Sequence, residues 1–341
     1  MKKTLEVLYQ TDNNYAVVTG VSIASLLENN KDLDNIVIHL IDGGITSINL
    51  DKIKELVAQY GRQLNIIDGK AIENKLKKMN CRPYKGSYVT YYKLLAYGSI
   101  KTRNNRILML DGDILVTRSL ADICDIDLNG YIMAEVIDAY MPKYLIKKLN
   151  LPKGQPYYNA GVMLINQSMW IKEKCEQKLE YHWTNVKSDY IFADQDITNV
   201  LFGHKIKELD LKYNFYSKNY MLQPYETNAM NLNKDMLERV RIYGPSCIHC
   251  IDESWRSRPW FKGNSHSLSG EWDYYLSKTP WGLNWEKLTI KLNIYNRIDK
   301  ILYKILPRSL YAYLLRLVSS LFALLDISKS LLDKKKMNVK S

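Results

Sequence analysis

The first 70 residues alternate between strand and helix patterns, and that alternation constrains the fold more than any other feature of the chain. Leu5-Glu-Val-Leu-Tyr9 is a short β-rich run, followed by the polar turn Gln10-Thr-Asp-Asn-Asn14. Tyr15, Val18, Ser22 and Leu26, joined by Val21 and Ala24, make a largely apolar helix that ends at Glu28-Asn-Asn30. Ile36-Val-Ile-His-Leu-Ile41 is nearly continuous in apolar residues, as strands buried inside parallel sheets are. An amphipathic helix over 48–60 is stopped by Gly61, and Leu64-Asn-Ile-Ile67 supplies a third strand. This βαβαβ order predicts a doubly wound α/β sheet.

The pattern resumes with a helix over 90–97, strands over 106–110, 131–137 and 161–165, and helices over 169–186 and 195–202. Residues 1–260 contain no repeat, Gly/Ser linker or low-complexity segment, so one domain over 1–283 is expected, followed by a tail over 284–341. With 46% apolar and 25% charged residues, the chain is neither globally disordered nor a polytopic membrane protein. Its five scattered Cys do not form a disulfide framework and point to a reducing compartment. Glu6 interrupts the only apolar run near the N-terminus, which therefore reads as a strand and not as a signal peptide.

The net charge of +12 is unevenly placed. Residues 286–341 hold 12 Lys/Arg against 4 Asp/Glu, whereas the rest holds 36 against 32. A nucleic-acid binder carries its basic patch on the folded domain, and this body is nearly balanced. In the tail, Ile294, Ile298, Ile301 and Ile305 are interleaved with Lys291, Arg297, Lys300 and Lys304, and Pro307 ends that helix. A second apolar run over 310–325 contains Arg316 and is too short for a span; Lys334-Lys-Lys336 follows. A basic amphipathic helical tail lying on an anionic membrane surface is expected, with a hairpin packed on the body as the alternative. The corresponding location is cytoplasmic and peripheral, on the inner face of the cell membrane.

Asp111-Gly-Asp113 follows the apolar strand Arg106-Ile-Leu-Met-Leu110, where open α/β sheets place their ligands. Both carboxylates reach one divalent ion, and Gly112 lets a diphosphate approach the backbone. The turn after the first strand offers Asp12, Asn14 and Tyr15 to a base and ribose. Downstream stand Tyr157-Tyr-Asn159-Ala-Gly161, Asp194-Gln195-Asp196 opening a helix, and Cys247-Ile-His249-Cys250 leading to Arg258-Pro-Trp260. A zinc site at Cys247, His249 and Cys250 lacks a second Cys/His pair of suitable spacing.

Taken together and in this order, these motifs resemble glycosyltransferase family 8, the retaining nucleotide-sugar transferases, from about residue 4 to residue 262. The resemblance implies an α/β GT-A fold with a Rossmann-like nucleotide-binding sheet. It also implies a UDP-sugar donor, UDP-galactose or UDP-glucose, and Mn2+, with Mg2+ as the alternative. Asp111, Asp113 and His249 are then the metal ligands. Asp12, Asn14 and Tyr15 contact the uridine, and Asn159, Asp194 and Gln195 surround the donor sugar and its anomeric carbon. Asp138 belongs to the sugar or acceptor side, and Gly112 to the donor. Lys93 stands where the family usually has Arg, which keeps the cation near the diphosphate or sugar but loses bidentate geometry. The last motif departs from His-x-x-Gly-x-x-Lys-Pro-Trp. It is three residues longer, lacks the Gly, and puts Arg258 in the cation's slot with Arg256 as the alternative. The implied acceptor is a cell-surface glycan, lipid-linked or protein-linked sugar, and no nucleic acid is expected as a partner. A non-catalytic nucleotide-sugar-binding protein is the competing expectation.

Overall fold

The computed structural model describes residues 3–141, 143–186, 190–221, 233–253, 256–289, 294–307, 310–311 and 313–314. The expected alternation is present as β1 (Thr4–Thr11), α1 (Ala16–Glu28), β2 (Asn35–Asp42), α2 (Ser47–Gln59) and β3 (Gln63–Asp68). α3 (Gly69–Lys78), α4 (Tyr92–Ala96) and β4 (Arg106–Leu110) follow. β1 pairs in parallel with both β2 and β4, bringing Val7 opposite Ile38 and Leu108. α1 is buried along almost its whole length, because its polar positions are small Thr and Ser side chains that a close helix packing accommodates.

The seven-stranded sheet runs β3-β2-β1-β4-β7-β6-β8, with β6 (Met133–Ile137), β7 (Tyr158–Asn166) and β8 (Ile206–Glu208). It is mixed: β7 lies antiparallel to both β4 and β6. Alternate residues of β1 and β4 feed two large apolar clusters, one on each face, with Val7 and Leu108 on one side and Leu8 and Met109 on the other. A second sheet of three short strands, β5 (Ile114–Val116), β10 (Cys247–His249) and β9 (Phe215–Tyr216), is ordered β5-β10-β9.

One expectation is corrected. The single helix over 169–186 is two helices, Gln167–Lys172 and Cys175–Asn185, because Lys174 adopts φ 53° and a left-handed residue cannot propagate a right-handed helix. Just past the expected boundary at 283/284, Trp285 and Leu288 contact the body. Leu288 N–H donates to Trp260 O at 2.9 Å, Lys262 N–H donates to Leu288 O at 2.8 Å, and Trp285 packs on Trp272.

In the tail, Ile294–Ile305 is helical as expected and stops before Pro307. It exposes Ile298, Ile301 and Ile305, while Tyr303 Oη accepts from Arg256 Nη2 at 3.4 Å. Most of the run over 310–325, and Lys334-Lys-Lys336, lie outside the described residues. No helix among the described residues is long and apolar enough to cross a membrane.

Candidate active site

The paired-carboxylate turn sits where the two sheets meet. β4 ends at Leu110, and the N–H of Asp111 donates to Gly161 O of β7 at 2.9 Å. Beyond Gly112 the chain enters β5, whose antiparallel partner β10 brings His249 opposite Ile114; Cys250 N–H donates to Asp113 O at 2.9 Å. Asp111, Asp113 and His249 each present a ligand atom, and these atoms lie within 4.8 Å of one another. Gly161 is required for this arrangement, since a Cβ there would lie 2.6 Å from His249 Cε1. At Gly112 the structure supplies a different reason for glycine than diphosphate approach: a Cβ would lie 2.4 Å from Thr19 Oγ1 of α1.

His249 is oriented from behind. Asn214 Oδ1 lies 3.2 Å from Nδ1 and fixes the ring, and Nε2 faces Asp113 Oδ1 at 3.3 Å. Two carboxylates and one imidazole form a donor set that fits Mn2+ or Mg2+. Burial alone would raise the pKa of Asp113, but its contacts with His249 and Arg258 outweigh it and hold the carboxyl well below its usual range. Desolvation pushes Asp111 upward, opposed by Lys93 and reinforced by Asp113.

Arg258 Nη1 lies 2.7 Å from Asp113 Oδ2 and donates to Tyr15 Oη at 2.9 Å. Tyr15 caps α1 and meets Trp260 edge-on at 5.6 Å. Asp12 Oδ1 accepts from the Tyr15 N–H at 3.0 Å, so this carboxylate shapes the β1–α1 turn, on which Asn14 is exposed.

Lys93 is buried. With 1% of its side chain exposed, it lies 2.7 Å from Asp194 Oδ2 and 3.4 Å from Asp111 Oδ1, and donates to Ala160 O at 3.0 Å. Burial would lower its pKa, but the two carboxylates more than offset this and keep it charged. Asp194 also accepts from Thr90 Oγ1 at 2.5 Å. Next to this pair, Gln195 Oε1 accepts from Asn159 Nδ2 at 2.8 Å, and Gln195 Nε2 donates to Asp138 Oδ2 at 3.1 Å. Asn159 Oδ1 accepts from Asn214 Nδ2 at 2.7 Å, which closes the path back to His249.

The structure thus joins Asp111, Asp113, His249, Arg258 and Tyr15 in one cluster and Asp138, Asn159 and Gln195 in another, linked by Asn214. Sequence reasoning missed Asn214, Tyr216, which donates to Asp138 Oδ2 at 3.0 Å, and Thr90. The available signal was Asn214 itself, an amide inside the aromatic run Tyr213-Asn-Phe-Tyr216.

A mixed sheet of this order, with a paired-carboxylate turn at its centre, is the GT-A fold of nucleotide-sugar transferases. The galactosyltransferase LgtC in complex with donor and acceptor sugar analogues shares it at TM-score 0.64 and 22% identity, over 81% of this chain and 96% of that one. The profile of glycosyl transferase family 8 matches residues 6–242, and the chain belongs to that family. General stress protein A of Bacillus subtilis is 26% identical over 79% of this chain and 92% of its own length. A lipopolysaccharide 1,2-glucosyltransferase of Escherichia coli is 30% identical over 62% of this chain and 63% of its own.

Proposed function

We propose that the protein transfers galactose or glucose from UDP-galactose or UDP-glucose to a glycan, lipid-linked or protein-linked acceptor, with retention of configuration. The observation that carries this reading is the divalent-ion donor set of Asp111, Asp113 and His249 beside Arg258, with the Asp138–Asn159–Gln195 network adjoining it. Mn2+ held by Asp111, Asp113 and His249 would supply a Lewis acid for the diphosphate oxygens. Arg258 adds a guanidinium suited to the departing phosphate. Tyr15, Asp12 and Asn14 form the uridine end. Lys93 acts as a buried brace that spaces Asp111 from Asp194.

The candidate nucleophiles support front-face departure and attack. Asp194 is held by Lys93 and Thr90, and both ends of the Gln195 amide are engaged, so neither is a free carboxylate aimed at an anomeric carbon. Acceptor attack on the face that UDP leaves preserves the α configuration without a covalent intermediate. The tail docks on anionic lipid at the inner face of the cell membrane, a reading supported by its charge and its exposed Ile298, Ile301 and Ile305.

A screen of UDP-sugars for metal-dependent UDP release tests the reading. Release from UDP-galactose or UDP-glucose with Mn2+ is expected, and its loss on chelation. Binding of a UDP-sugar without release by any metal would leave a nucleotide-sugar-binding protein instead.

A further inference from the structure

Two residues beyond the end of β9, Lys218 Nζ lies 3.3 Å from the ring centre of Tyr140 and 5.3 Å from that of Tyr216. These rings stack 5.3 Å apart with planes 19° from parallel, and Tyr216 meets the His249 ring edge-on at 5.4 Å. Tyr216 Oη donates to Asp138 Oδ2, the same oxygen that accepts from Gln195. The ammonium therefore stands one aromatic layer away from a metal ligand, on the side of the Asp138–Gln195 network. Asp252, whose charge also acts on Lys218, has its carboxylate 3.8 Å from Arg258 Nε.

Lys218 is half-buried, and among the described residues neither a hydrogen bond nor an ion pair holds its ammonium. Burial lowers its pKa to about 8 against the opposing pull of Asp138 and Asp252. Enclosing a cation without a contacting counter-charge is unfavourable, and the aromatic faces offset only part of that. An incoming anion completes the arrangement. Through Tyr216 the ammonium adjoins the Asp138–Gln195 network, so the anion is assigned to the sugar and acceptor side and not to the donor diphosphate.

We propose that Lys218 is a specificity-determining residue that binds a phosphate carried by the acceptor, so that a phosphorylated sugar is preferred to its neutral counterpart. The proposal rests on the transferase reading above for the identity of the reaction, and on the Tyr140–Tyr216–Lys218 geometry for the ligand.

The test uses the full chain saturated with UDP and Mg2+, so that the diphosphate side is occupied. It is titrated with glucose 6-phosphate against glucose, and galactose 6-phosphate against galactose. The wild type is expected to bind the phosphorylated sugar of at least one pair about tenfold tighter, the scale of one charge-assisted contact. Lys218→Met and Lys218→Gln should each erase that preference, and Lys218→Arg should keep most of it. A wild type without the preference overturns the proposal, as does a folded Met or Gln variant that retains it. Wild-type UDP release from UDP-glucose and UDP-galactose is measured alongside. Its absence would count against the transferase reading and leave the phosphate selectivity to be judged on binding alone.

Discussion

Arg258 Nη1 lies 2.7 Å from Asp113 Oδ2, although 145 positions separate the two residues in the chain. The contact depends on Trp260, which is 1% exposed, lies against Tyr15 and Trp272, and fixes the end of the loop that carries Arg258. With Pro259-Trp260 fixed, the residue directly before them faces the carboxylates. Arg256, two positions earlier, turns away to Glu253 and Tyr303.

From this geometry, Arg258→Ala is expected to lower kcat for UDP release by about 100-fold, the scale of one lost group that stabilises developing charge. Arg256→Ala should cost less than about tenfold, since its side chain holds the loop and not the phosphate. Steady-state kinetics with Mn2+ decide it, and the reverse ranking would transfer the role to Arg256.

Removing a charged ligand should act on the ion directly. Asp113→Asn is expected to weaken Mn2+ binding by well over tenfold while the fold stays intact. Calorimetric titration of Mn2+ into the variant, with a thermal melt beside it, checks both parts; wild-type affinity in a folded variant would remove Asp113 from the donor set.

Among the described residues, Asn214 reaches the ion site through its hydrogen bond to His249, so its effect should be indirect. Asn214→Ala frees the Nδ1 side of the imidazole and is expected to lower metal affinity by about 10–100-fold, as losing a ligand's hydrogen-bond partner does. A change in stability without a change in Mn2+ affinity would make Asn214 a packing residue alone.

The first half of the sheet was legible because each of β1, β2 and β3 is a continuous run whose pairing is parallel and sequential. The second sheet was not: β5 and β10 have three residues each and β9 has two, too few to display a period, and β5 pairs with β10 across more than 100 positions. Residue types at the site were legible for a similar reason. Asp111, Asp113 and His249 stand in short motifs, whereas Asn214 and Lys218 acquire meaning only when β9 is laid beside β10. Lys93 shows the limit from the other side. Its motif marks a cation near the donor, but only the packed structure reveals a side chain enclosed between Asp111 and Asp194.

Glu135 on β6 is fully buried, and neither carboxyl oxygen has a hydrogen-bond partner among the described residues. Burial raises its pKa from 4.5 to about 8, with Lys93 opposing and Asp194 reinforcing. The folded protein then keeps a proton that the unfolded chain releases near pH 4.5, so stability falls as pH rises through the window between the two values. At about 1.4 kcal/mol per unit, the whole window is worth roughly 3–5 kcal/mol. Glu135→Gln should flatten that slope and stabilise the protein at pH 8. Urea denaturation at pH 5, 6.5 and 8 measures it, and identical slopes for wild type and variant would show that Glu135 ionises freely.

The tail should localise the protein without taking part in chemistry. Its helix presents Ile298, Ile301 and Ile305 to solvent at 47%, 57% and 68% exposure, beside Arg297, Lys300 and Lys304. Each Ile transferred into lipid gains about 1.5–3 kcal/mol, and each basic residue near an anionic surface about 1 kcal/mol. Truncation is a poor test, because Tyr303 of this helix contacts Arg256 in the loop that leads to Arg258. Replacing Ile298, Ile301 and Ile305 with Glu leaves that contact in place while removing the apolar face. The triple variant is expected to bind phosphatidylglycerol-containing vesicles at least about 100-fold more weakly and to release UDP from its donor as the wild type does. High salt should weaken wild-type binding only in part, since the apolar contribution is not screened. Equal vesicle binding by variant and wild type would place the membrane contact elsewhere on the protein. A variant that no longer folds would instead mean that these isoleucines pack against the chain.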